Sequence, residues 1–341
     1  MVRETNTKTP EFSIIIPAYN AEAFIQAAIQ SINNQTNNDW ELIIVENGST
    51  DQTTEICNCY ADNKKIYLLH SEKGVSNARN AGIEASRGKW LIFLDADDQL
   101  LRDSLQRFDE IDKKYAPDLI VGEYENKRSV YSGEIKVYEG NGLADFMRIS
   151  LQTPTQKCNT KAVAFRSSVI KEGGIIFDGH ICYAEDSVFF LETFIHSKKL
   201  ITVHYPVYRV IYHPESAVRS GKKKLEREYL MAIQRINKMV KEYSQNFDND
   251  YYAFVLNQLL VILVNDIFAR SESVALQLAD AKQAMFIPEF KEAIEKINLS
   301  ELHGAKKVVF WMMKHKMAFG LLFAARIRQA QNKKKVNYLY V

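Results

Sequence analysis

The chain has 341 residues, 46% hydrophobic and 25% charged, with a formal net charge of +2. That length exceeds a typical domain of about 100–200 residues, so one large domain with a smaller appended one is expected, and the composition is that of an ordinary globular chain. The four cysteines, at 57, 59, 158 and 182, form no C-x-x-C and no zinc spacing, which argues against a disulfide framework or structural zinc.

The polar start MVRETNTKTPE carries no apolar core of a secretory signal, and no stretch reads as the ~20 apolar residues of a membrane span. Short apolar runs at 12–17 (FSIIIP), 41–45 (ELIIV), 66–70 (IYLLH), 90–94 (WLIFL) and 118–122 (DLIVG) read as strands buried on both faces. Between them, 21–35, 51–61, 75–87 and 101–115 have helical character. Strand and helix alternating at a step of about 25 residues predict an α/β fold, a mostly parallel sheet flanked by helices. Residues 123–140 read as a hairpin turning at Ser132 and Gly133, and 160–213 have mixed character. After SGKKK (220–224) the pattern is helical almost to the end, so a boundary is expected near Lys222, giving regions 1–221 and 222–341.

Ligands of open parallel sheets bind at the carboxyl ends of the strands. Those ends are polar here: Pro17-Ala18-Tyr19-Asn20 after the first run, Glu46-Asn47-Gly48-Ser49 after the second, and Asp95-Ala96-Asp97-Asp98 after the fourth. Asp95 and Asp97 held at one strand end repel each other unless a cation or a donor intervenes. A hard divalent ion such as Mn²⁺ or Mg²⁺ takes carboxylate and phosphate oxygens together, so this D-x-D points to a metal-bound diphosphate. The alternative is that one aspartate caps the helix starting near Leu100 while the others are solvated.

The blocks SIIIPAYN, LIIVENGSTD, GVSNARNAGIEASRGKWLIFLDADD and CYAEDSVFF together resemble the family 2 glycosyltransferases over roughly residues 12–215. The resemblance implies the GT-A fold and an inverting transfer from a nucleoside-diphosphate sugar, UDP first. It also implies that Pro17, Ala18, Tyr19 and Asn20 cradle the uridine, that the pair after the second strand recognises the base, that Arg79 lies near the nucleotide, and that Asp97 is the main metal ligand with Asp95 and the intervening Ala96 beside the ribose and metal. Two departures stand out: the usual VDDGSTD is VENGSTD, so Glu46 and Asn47 precede Gly48 and Ser49, and Glu72-Lys73 precedes GVSNARN. Glu46 keeps an acceptor for a uracil N–H.

Inverting transfer needs a stabilised leaving diphosphate and a base for the acceptor hydroxyl. Glu185 and Asp186 open an apolar helical stretch, where the macrodipole favours the ionised form; with the family match Asp186 is the expected base and Glu185 an orienting or acceptor-binding group. His213 would complete the metal shell or meet phosphate. Arg79 reads either as a surface ion pair or as a phosphate contact. A phosphatase of the haloacid-dehalogenase type is disfavoured because Gln99 stands where such motifs want Thr or Val. A nucleotidyltransferase, told apart by pyrophosphate release, and an inactive nucleotide-sugar-binding protein remain as alternatives.

From Glu301 onward nine Lys/Arg face one acid, interleaved with Phe310, Trp311, Phe319, Leu321, Leu322 and Phe323. That pattern over 305–335 suits either an interfacial helix on an anionic membrane, bringing the enzyme to a glycan or lipid-linked acceptor, or helices packing on the protein or on a second subunit as a homo-oligomer. Nucleic acid is not expected, since no reading motif accompanies the charge. The expected location is cytoplasmic, peripheral on the inner face of the cell membrane.

Overall fold

A computed structural model describes residues 9–60, 62–126, 129–211, 225–243, 246–302 and 304–337. The chain divides into two compact units: Met1–Phe146 with Asn159–His180 and Glu185–Ile211, and Met147–Cys158 with Ile181–Ala184 and Tyr212–Val341. The expected boundary near Lys222 lies outside the described residues, and the second unit also takes the two short segments at 147–158 and 181–184.

The first unit is built on a nine-stranded sheet. Its strands are β1 (Phe12–Ala18), β2 (Trp40–Glu46), β3 (Ile66–His70), β4 (Trp90–Phe93), β5 (Gln99–Leu100), β6 (Leu119–Tyr124), β7 (Ile135–Glu139), β8 (Val163–Arg166) and β9 (Lys199–Arg209). The order is β3-β2-β1-β4-β8-β6-β9-β5, with β7 also on β9. Every residue of β1 and β2 is buried, which is why these strands read as unbroken apolar runs and not as alternation. Helix Val75–Ala85 lies so close to β1 that a Cβ on Gly82 would come within 2.4 Å of Ile15 Cγ2, so glycine is required there.

Parallel pairing is complete across β3-β2-β1-β4 and becomes mixed beyond it. β8 enters antiparallel between β4 and β6, placing Phe165 opposite both Leu91 and Leu119, so the run at 118–122 does not extend the parallel set. With only four residues, β8 is too short for a period to show in the sequence. The hairpin expected over 123–140 does not form. β6 already has β8 on one edge and β9 on the other, so Ile135–Glu139 pairs antiparallel with the first part of the long β9 instead. β5 takes the last part of β9.

The second unit is helical. Helix Asp248–Asn265 is its core element, with Phe254, Val255, Leu256, Leu259 and Ile262 buried on successive faces. Over Asp248–Ala269 the chain is long and apolar enough to cross a membrane by length and composition, with a mean hydropathy of 1.7, contrary to the expectation of no such stretch. Since 72% of that window is buried inside the protein, the apolarity is accounted for by packing among helices.

Candidate active site

The loops after β1 and β2 are laced together. Asn20 N donates to Ser49 Oγ at 3.1 Å, and Thr50 N donates back to Asn20 Oδ1 at 2.8 Å. Asn20 holds φ 46, a left-handed conformation that Asn tolerates better than most residues. Pro17 and Ala18 are still within β1 and buried, so of that quartet Tyr19 and Asn20 alone reach the surface. Lys73 Nζ donates to Tyr19 Oη at 2.8 Å and sits 4.6 Å from the ring centre, so the Lys73 departure places a cation over the tyrosine.

Glu46 does not offer the free acceptor expected of it. Its Oε1 accepts from the N–H groups of Gly48 and Ser49, and Oε2 lies 3.2 Å from His70 Nδ1. Burial pushes the Glu46 carboxyl up, but the Ser49, His70 and Gly48 hydrogen bonds outweigh it and hold the group below its usual range. Asn47 is the more telling residue. Its Nδ2 donates to Gly74 O at 3.3 Å, while Oδ1 is buried with no hydrogen-bond partner. An orphaned acceptor costs about 1–3 kcal/mol, relieved by any N–H that reaches it.

At the end of β4 the carboxylate oxygens of Asp95, Asp97 and Asp98 lie within 4.8 Å of one another. The three are not equivalent. Asp98 is 1% exposed and turned inward: Oδ2 accepts from Tyr208 Oη at 2.9 Å and Lys161 Nζ at 2.7 Å, and Oδ1 from Ile211 N at 2.9 Å. Burial, with Asp95 and Asp97 adding repulsion against the pull of Lys161, pushes Asp98 up to about 6. Asp95 takes Arg79 Nη2 on Oδ1 at 3.2 Å and Lys161 Nζ on Oδ2 at 2.7 Å. Burial pushes its carboxyl up, but Lys161 and Arg79 override this and hold it well below the usual carboxylate range. Asp97 and Asp95 are half-buried, while Ala96 between them is buried.

Arg79 joins two distant parts of the chain. Its Nη2 meets Asp95 and its Nη1 donates to Glu185 Oε1 at 2.9 Å, so one buried guanidinium ties the end of β4 to the start of helix Glu185–Ile195. The Nε is buried without a partner, and the group stacks 5.1 Å from the Phe177 ring. The next residue reinforces this tie: Asn80 Nδ2 donates to Phe177 O at 2.8 Å and Asn80 Oδ1 accepts from Phe177 N at 2.9 Å. Phe177 in turn stacks on Phe189 of the helix at 3.9 Å, and Phe189 meets Phe93 of β4 edge-on. Of the two sequence readings of Arg79, ion pairing is what these contacts show, buried between two carboxylates and not on a surface.

Asp186 stands beside Glu185 in the first turn of that helix, its Oδ1 accepting from Ser187 N at 2.8 Å. The macrodipole's preference for the ionised form at this helix start is opposed by its surroundings. Burial and the neighbouring Glu185 push Asp186 up to about 7, against the opposing pull of Arg79. Ala184, just before the pair, holds φ 60, and Ala162, just after Lys161, holds φ 57. Such conformations in non-glycine residues cost about 1–3 kcal/mol and cluster where function demands them. His213 lies outside the described residues. Lys161 and Tyr208 had no signal in the sequence: their links to residues 95 and 98 span 63 to 113 positions, and neither sits in a periodic or motif-like setting.

A family model described as glycosyl transferase family 2 matches residues 13–173. The chain carries a family 2 glycosyltransferase domain. EpsH of Bacillus subtilis (strain 168), which bears the name glycosyltransferase, is 24% identical over 94% of this chain and 96% of its own length. Among solved structures, S. aureus TarS in complex with UDP-GlcNAc is similar with a TM-score of 0.66 at 17% identity, covering 94% of this chain and 92% of that one. The mannosyltransferase PcManGT from Pyrobaculum calidifontis, in complex with GDP-Man and Mn²⁺, is similar with a TM-score of 0.54 at 17% identity, covering 96% and 89%. This glycosyltransferase therefore shares the GT-A fold of both neighbours, with the carboxylate cluster at the carboxyl end of β4. The donor set is all carboxylate oxygen, the chemistry that suits a hard divalent ion, so the residues present fit such an ion at Asp97 with Asp95.

Proposed function

We propose that this glycosyltransferase moves one sugar, with inversion, from a UDP-sugar to a hydroxyl of a glycan or lipid-linked acceptor. The observation that supports the reading is the Arg79 bridge between Asp95 and Glu185, which ties the carboxylate end of β4 to the first turn of helix Glu185–Ile195. Tyr19 and Asn20 flank the base, with the loop of Ser49 held against them. Asn47 Oδ1 takes the base N–H. Uracil offers a single ring N–H, whereas guanine offers adjacent N–H and NH₂ donors that two carboxylate oxygens would serve better than one amide oxygen. Glu185, held by Arg79, orients the neighbouring Asp186, whose carboxylate accepts the proton of the attacking hydroxyl. Asp97 and Asp95 would hold a divalent ion, Mn²⁺ or Mg²⁺, whose chemistry there would be Lewis-acid stabilisation of the departing diphosphate.

Nucleotide choice is checked by thermal denaturation with UDP, GDP or CDP in the presence of Mn²⁺. A ligand at ~100 Kd adds about 2.7 kcal/mol to native stability, so UDP raises Tm by about 5 °C or more. A larger rise with GDP than with UDP would overturn the assignment of Asn47 and the donor together.

A membrane-bound acceptor fits the second unit. On helices Ala305–Lys314 and Ala318–Asn337, Phe310, Leu321 and Ala325 are buried, while Trp311, Phe319, Phe323 and Ile327 point outward at 44%, 74%, 69% and 44% exposure. Phe319, Phe323 and Ile327 recur every fourth residue, one helical face, amid Lys314, Lys316, Arg326 and Arg328. We read this face as resting on the anionic inner surface of the cell membrane. The protein should sediment with vesicles containing phosphatidylglycerol in low salt and be released by high salt, and F319E/F323E should remain in the supernatant. Equal recovery of both proteins in the supernatant would dismiss the membrane contact and leave a second copy of the chain as the occupant.

A further inference from the structure

Lys161 is a cation at this site that neither the motif pattern nor the proposed reaction employs. Its ammonium lies 2.7 Å from Asp95 Oδ2 and 2.7 Å from Asp98 Oδ2. The chain holds it there firmly. Asn159 Oδ1 accepts from Lys161 N at 2.9 Å and from Tyr124 Oη at 2.7 Å, and the following Ala162 is locked in a left-handed turn whose carbonyl accepts from Gly122 N. Tyr208 closes the other side, with Lys161 Nζ 5.8 Å from its ring. With Arg79 on Oδ1 and Lys161 on Oδ2, both oxygens of Asp95 are committed to protein cations.

We propose that Lys161 is a resident counter-cation: its ammonium and a divalent ion are alternatives at Asp95 Oδ2, so that the metal binds weakly by itself and strongly together with a nucleoside diphosphate. The physical reason is charge. A divalent ion reaching Asp95 meets a fixed +1 charge within a few ångström, and Asp98, the other carboxylate that holds this ammonium, already accepts from Tyr208 and Ile211. A diphosphate adds the negative charge that both cations share. Metal and nucleotide therefore favour each other's binding by the same factor. The inference rests on the metal-and-diphosphate reading above and adds to it the order in which the site fills.

The test measures Mn²⁺ binding to the full chain by loss of the free-ion electron paramagnetic resonance signal, with and without UDP. In wild type, binding is weak with Mn²⁺ alone and tight with UDP. Lys161→Met tightens the nucleotide-free affinity by about tenfold or more, the scale on which one close opposite charge shifts a carboxylate's preference. In that variant the gain from adding UDP shrinks by the same factor. Lys161→Arg keeps the cation and the wild-type pattern. A lysine with a purely structural role would on removal weaken Mn²⁺ binding, the opposite sign. If Lys161→Met does not fold with Asp95 and Asp98 unpaired, Lys161→Gln, which retains a hydrogen-bond donor, is read in its place. Unchanged or weaker nucleotide-free binding in the neutral variant, with UDP still recruiting Mn²⁺, overturns this inference alone. Failure of wild type to bind Mn²⁺ even with UDP overturns the metal reading as well.

Discussion

Replacing Asp186 by Asn lowers kcat by about 10²- to 10⁴-fold, the usual worth of a positioned general base, while UDP affinity stays at the wild-type value. The amide keeps the shape and the hydrogen bond to Ser187 N but has no site for a proton. Asp186 is pushed up to about 7, chiefly by burial and then by Glu185, so its protonated form dominates below that pH. A base works only when ionised. Wild-type kcat/KM therefore climbs with pH up to a midpoint near 7 and levels above it, and the residual activity of the Asn variant lacks that limb. The stability effect has the opposite sign. A carboxyl whose folded pKa is raised keeps its proton in the folded chain after the unfolded chain has lost it, so between the ordinary 3.8 and about 7 rising pH removes stability. Asp186→Asn escapes that loss and should melt no lower than wild type at pH 8. Wild-type turnover by this variant would remove Asp186 from the mechanism, and a lowered Tm would instead ascribe its inactivity to damage.

Arg79→Met costs about 3–5 kcal/mol, because it leaves Asp95 and Glu185 as partly buried carboxylates stripped of a shared partner. Urea denaturation reads that loss directly. Arg79→Lys separates architecture from chemistry. A single ammonium cannot reproduce the planar fork that reaches Oδ1 of Asp95 at 3.2 Å and Oε1 of Glu185 at 2.9 Å, so it keeps most of the stability while kcat falls as Asp186 loses its register with the acceptor. A lysine variant with the wild-type kcat would show that Arg79 serves the fold alone.

Much of the site was legible in the sequence because its residues lie at strand ends. The apolar runs at 12–17, 41–45, 66–70 and 90–94 became β1 to β4, and parallel pairing of such strands brings their following residues to one edge. Asn20 against Ser49, and Asp95 beyond Phe93, follow from that rule. The reading failed where the sheet departs from it. A four-residue strand such as β8 shows no period, and it carries the chain back from Lys161. β9 has two edges to fill, so β7 went to it and not to the neighbouring β6.

By itself, then, the amino-acid sequence determined the parallel half of the sheet, the carboxylate end of β4 and the acidic start of helix Glu185–Ile195, since each is a local pattern of burial, punctuation and charge. The tertiary structure alone decided what each charge does. Whether Asp98 faces outward or is consumed by Tyr208 and Ile211, whether Arg79 meets solvent or two carboxylates, and whether a lysine closes the cluster all depend on contacts across 16 to 113 positions. Local propensity carries no information over such separations. The ionisation of a carboxylate is set by the total field and solvent around it, so it emerges only when distant elements pack together.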